Sequence, residues 1–116
     1  MTELNPKIKA VVEEMNNSAQ RIFGDKLRKV ILYGSYARGD YNEYSDLDIM
    51  VLADVEGDEG RGLKSEIHDV ASDVGLDNDI IVSVMLNNET LFMSRLDISP
   101  FYQNVINEGV ELYVAQ

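Results

Sequence analysis

The chain has 116 residues, 45% of them apolar, and a formal net charge of −11, so a single domain (residues 1–116) with one hydrophobic core is expected and disorder is argued against. With 21 acidic against 10 basic side chains, the balance disfavours binding to a nucleic-acid backbone and suits a basic protein partner or plain solubility. Cysteine is absent, which removes disulfides and thiolate metal sites, and no long apolar run or basic-then-apolar leader is visible, so a cytoplasmic location is expected.

Asn5-Pro6 reads as a helix start, with Asn as the cap and Pro at the first helical position. Ile8, Val11, Val12, Met15, Ala19, Ile22 and Phe23 recur at helical spacing, and Gly24 offers a stop. Residues 27–33 read as the first strand. Ser35 is placed to cap a short helical turn through Arg38, and a polar and aromatic loop from Gly39 to Tyr44 leads into a second strand, 46–52. The glycine-rich stretch 56–62 reads as a flexible loop tip. Leu63, Ile67, Val70, Ala71 and Val74 form a helical stripe closed by Gly75. The nearly continuous apolar run in 79–85 predicts a third, buried strand. Asn88 is placed to cap a helix over 89–96. Ser99-Pro100 opens another helix, which Gly109 stops before a last strand, 110–114. No internal repeat is present. The order predicts an α/β fold, with helices packed on a small mixed sheet.

The stretch from Val30 to Val51 carries the chemistry. Its first apolar run ends in Gly34-Ser35; ten residues follow, and Asp46-Leu47-Asp48 opens the next run. Side chains alternate along a strand, so Asp46 and Asp48 share one face. Neighbouring carboxylates raise each other's pKa unless a cation lies between them. Oxygen-only ligands suit hard ions, above all Mg²⁺ bound with substrate phosphates. Gly34-Ser35 offers backbone N–H groups to a phosphate, and Gly34 lets the backbone come close to it. Arg38 has the planar, permanently charged fork that suits phosphate. Tyr33, Tyr36, Tyr41 and Tyr44 surround the motif; stacking on a nucleobase is open to one of them, packing or an interface is the commoner use of such residues, and none is assigned a role. The lone His68 reads as a surface or half-buried helix residue and not as a catalytic base.

Gly34-Ser35, ten residues, then Asp46-Leu47-Asp48 resembles the signature of the nucleotidyltransferase superfamily related to DNA polymerase beta, in particular the minimal nucleotidyltransferases. Ala37-Arg38-Gly39 and Ser45-Asp46 match further parts of it. The resemblance implies a polymerase beta-like fold and transfer of AMP from ATP to a hydroxyl, with pyrophosphate released. It implies a metal site at Asp46 and Asp48 for two Mg²⁺ ions, and nucleotide contacts from Gly34, Ser35, Arg38 and Ser45. The family's third acid lies at a later strand. Strand parity leaves Asp77 and Asp79 both open; Asp79 abuts the apolar run, and the family pattern favours it as the third metal and catalytic carboxylate, aiding deprotonation of the attacking hydroxyl. Short members of this family pair with HEPN-domain toxins and serve as their antitoxins, some by adding AMP to a toxin tyrosine. The rival readings are a small-molecule transferase of aminoglycoside type and an antitoxin that only masks its partner.

Overall fold

The computed structural model describes residues 4–116. Helix α1 (Pro6–Phe23) begins where Asn5 Oδ1 accepts the Ile8 N–H at 2.9 Å, a cap worth about 1 kcal/mol. A single 3-10 turn, Gly24–Lys26, leads into strand β1 (Leu27–Tyr33). The chain continues through α2 (Ser35–Arg38), β2 (Leu47–Ala53), α3 (Gly57–Asn78), β3 (Val82–Asn88), α4 (Glu89–Ser94), α5 (Pro100–Glu108) and β4 (Val110–Val114).

The strands form one sheet in the order β3-β2-β1-β4. β1 runs antiparallel to β2 and β4, while β2 and β3 are parallel. A parallel pair needs a long crossover, and α3 supplies it. Alternation along the strands then divides the core. Val30, Leu32, Leu47, Ile49 and Val51 pack with α1 and α3 on one face. Ile31, Tyr33, Met50 and Leu52 pack on the other, against Phe92 of α4 and Val105 of α5. The two central strands are thus covered on both faces, and the mixed α/β expectation holds.

Several boundaries differ from the sequence expectation. The stretch 56–62 is not a loop tip, because α3 begins at Gly57. Asp58 and Glu59 lie in its first turn, where carboxylates complement the helix dipole. Asp58 pairs with Arg61, Glu59 pairs with Lys26, and Gly60 packs against Val55. Exposed ion pairs contribute little; the low helix propensity of three glycines is offset by the tertiary packing of α3 through Ile67, Ala71 and Val74. Gly75 does not stop α3, which runs three residues further. There the Ile80 N–H donates to the Gly75 carbonyl at 3.0 Å. A Cβ at Gly75 would meet the Ile80 carbonyl oxygen at 2.5 Å, so the glycine permits this close return of the chain.

The third strand begins at Val82 rather than residue 79, since Asp79 is the left-handed C-cap of α3 (φ 54°, ψ 49°). Asp77, expected in a turn, is in the last turn of α3. The second strand begins at Leu47, one residue later than expected, and the helix after Asn88 ends at Ser94, not at 96. Asn88 and Ser99 do cap α4 and α5, accepting the N–H groups of Leu91 (3.1 Å) and Tyr102 (3.2 Å). Among the described residues, no helix is long and apolar enough to cross a membrane.

Candidate active site

The site lies where β1 ends and β2 begins. Gly34 has φ 75° and ψ −155°, a conformation open to glycine and strained for other residues. It is also the N-cap of α2, without a side-chain cap bond, so Ser35 is the first helical residue and not the cap. The turn closes through the Gly34 carbonyl, which accepts from Ala37 at 3.1 Å and Arg38 at 3.0 Å. The first N–H groups of this short helix have no preceding turn to accept them.

Asp48 stands opposite Tyr33 in the β1–β2 ladder. A Cβ on Gly34 would overlap its Oδ2, so the carboxylate occupies the space that the glycine leaves open. Asp48 is half-buried; Asp46, just before the strand, is exposed. Leu47 is fully buried, which directs Asp48, its neighbour in β2, to the opposite face; Asp46 lies just before the strand, at the cleft that α3 borders. Burial and then the charge of Asp46 push the Asp48 carboxyl above its usual range, and the nearby Arg38 guanidinium partly offsets this. Burial and the Asp48 charge also push the Tyr33 phenol up to about 12. Negative charge is thus concentrated on a half-buried oxygen pair, the condition that a hard cation relieves.

Arg38 is exposed and bridges two carboxylates, Asp40 at 3.2 Å and Glu108 of α5 at 3.4 Å. The Glu108 contact links the end of α2 to the last residue of α5. Ser45 Oγ accepts the Asn42 N–H at 2.9 Å, which shapes the loop ahead of Asp46. A cleft of about 600 Å³ extends from Tyr44, Ser45 and Asp46 to Gly75, Leu76 and Asp79. Asp79 lines the same cleft as Asp46; among the described residues, no three His, Cys, Asp or Glu side chains converge as a metal site. Asp77 lines a different groove, between α1 and α3. His68 is exposed on α3. Sequence reasoning missed Glu108 as a partner of Arg38, since 70 residues separate them. It also missed Ser83, which pairs with Asp48 across β2 and β3. The alternation of Val82, Ser83 and Val84 carried that signal.

The nucleotidyltransferase domain profile matches residues 12–109. The chain belongs to this family. Two candidate protein adenylyltransferases of Methanocaldococcus jannaschii are 33% and 37% identical to it over 102 residues, covering 88% of this chain and 94% and 95% of those relatives. Among solved structures, a nucleotidyltransferase candidate of Sulfolobus solfataricus superposes with a TM-score of 0.53 at 17% identity, over 98% of this chain and 92% of that one. A toxin–antitoxin structure with AMP-PNP gives 0.52 at 24% identity, over 97% and 76%. These two likenesses establish a shared fold, in agreement with the mixed four-stranded sheet.

Proposed function

We propose that this nucleotidyltransferase moves AMP from ATP to a hydroxyl of a protein, releasing pyrophosphate, and that it is the antitoxin of a HEPN-type toxin whose tyrosine accepts the AMP. The observation that carries the reading is Asp48 seated on Gly34 beside the first turn of α2, with the Asp46 charge close enough to act on it. The M. jannaschii relatives named for protein adenylylation, and a toxin–antitoxin neighbour with AMP-PNP, support it from outside the chain.

Each residue has a defined task. Asp46 and Asp48 fit a hard divalent ion such as Mg²⁺, which neutralises the triphosphate and the leaving pyrophosphate when bound. Gly34 and Ser35 receive phosphate oxygens on the backbone, with the Ser35 hydroxyl adding a donor. Arg38 exchanges its carboxylate partners for the terminal phosphates, to which its planar fork is suited. Ser45 holds the loop that sets the direction of Asp46. The acceptor oxygen attacks the α-phosphorus, the bond to the β-phosphate oxygen breaks, and the hydroxyl proton passes to solvent or a nearby base. A second reading, an antitoxin that binds without turnover, draws support from the lack of a third convergent carboxylate among the described residues.

Incubation with α-labelled ATP, Mg²⁺ and the protein encoded beside this chain tests both. Label on a tyrosine of that protein, lost in Asp46→Asn and Asp48→Asn, is the expected result. Binding of the neighbour without any transfer of label would leave the masking reading in its place.

A further inference from the structure

The candidate metal site is incomplete by the measure of the family signature, and the register of the sheet identifies the position concerned. β2 and β3 are parallel and paired without interruption: Leu47 with Val82, Asp48 with Ser83, Ile49 with Val84. Paired residues of adjacent strands point to the same face, with strands about 4.8 Å apart. Val82, Val84 and Leu86 face the α1–α3 core with Leu47, Ile49 and Val51. Ser83 therefore faces the side of Asp48. A carboxylate borne by β3 and able to share a cation with Asp48 would have to stand at residue 83, and this chain has a half-buried serine there.

Asp79 does not take the role from a distance. It precedes the strand, and its backbone is bound into the end of α3 through its N–H to the Gly75 carbonyl. The Leu47 N–H to the Ile81 carbonyl, at 2.9 Å, fixes where β3 joins the sheet, two residues after Asp79. Asp79 is exposed on the cleft wall.

Resting on the nucleotide reading above, we infer that Ser83 occupies the third position of this site, and that the chain with its nucleotide holds one divalent cation, between Asp46 and Asp48, instead of two. The pair carries two negative charges, enough for one ion shared with the triphosphate. A neutral hydroxyl is a poor replacement for a carboxylate towards a second ion. It has instead a donor and two acceptor lone pairs, which suit it to position the incoming acceptor hydroxyl. Deprotonation of that hydroxyl then falls to a group outside the third position, which a protein acceptor can supply.

Counting bound Mn²⁺ by electron paramagnetic resonance, with a non-hydrolysable ATP analogue at saturation, tests this on the full chain. The wild type is expected to hold one Mn²⁺ per bound nucleotide, as are Ser83→Ala and Asp79→Asn. Ser83→Asp is expected to hold two. Two ions in the wild type would overturn the inference; if Asp79→Asn then lost one, Asp79 would be the third ligand. The wild-type and Asp79→Asn counts decide the matter even if Ser83→Asp fails to fold. Failure of the analogue to bind at all would instead remove the nucleotide reading, and this inference with it.

Discussion

β2 and β3 lie side by side in register, but they hold their side chains under different constraints. β2 is central, and every residue of it except Asp48 is buried. β3 forms the edge, and only Val84 among its seven residues is buried, while Met85 is 38% exposed. Asp48 is thus carried by the better-held of the two strands, with Asp46 just before it. The position of Asp48 is set by packing of Leu47 and Ile49 beneath it, while the neighbouring Ser83 on β3 lies on a strand with a single buried residue. On the proposals above, the candidate metal ligand Asp48 and the acceptor-positioning Ser83 stand on adjacent strands that differ in how firmly they are packed.

Breaking the charge on β2 should have the largest effect. Asp46→Asn and Asp48→Asn are nearly isosteric and are expected to abolish AMP transfer while leaving the far-ultraviolet circular dichroism unchanged; wild-type transfer rates in both variants would end the assignment of the pair. Breaking the packing comes next. Ile49→Ala should cost about 2–5 kcal/mol, whereas Val82→Ala, at the half-buried start of β3, should cost about 1 kcal/mol. Urea denaturation of the two compares central with edge strand directly, and equal losses would contradict the difference drawn between them.

Gly34→Ala tests the cradle beneath Asp48. The substitution forces a side chain into a positive-φ backbone and into the carboxylate, so a loss of about 1–3 kcal/mol is expected, with weaker binding of an ATP analogue by titration calorimetry. The smallest effect concerns pH. The Asp48 pKa is raised on folding, so the native state binds more protons than the unfolded state in the interval between the ordinary Asp value and the raised one. Stability without metal should therefore fall as pH rises through that interval and level off above it. Melting temperatures of Asp48→Asn should lack this component and, at neutral pH, lie slightly above those of the wild type. A wild-type melting temperature that rose across the interval with the same slope as the variant's would place the shift elsewhere.

The sequence by itself determined the features that depend on near neighbours. Asn5-Pro6 starts a helix because a side-chain oxygen reaches an N–H three residues on. Residues 27–33 form a strand because apolar β-formers run up to a glycine, and Asp48 turns away from buried Leu47 and Ile49 because the strand period is two. The Gly34-Ser35 spacing to that pair was legible for the same reason. The tertiary structure decided what depends on residues far apart in sequence. Glycines 57, 60 and 62 entered a helix as the first turns of α3, whose buried stripe, Ile67, Ala71 and Val74, packs on the core. α3 passed Gly75 and ended at Asp79 because the return of Ile80 needs a glycine to pack on, moving the start of β3 to Val82. That shift of three residues removed Asp79 from the strand and set Ser83 beside Asp48. Local alternation states which residues share a face; which residue faces which across two strands is set by the crossover between them, whose length is fixed only when α3 packs on the sheet.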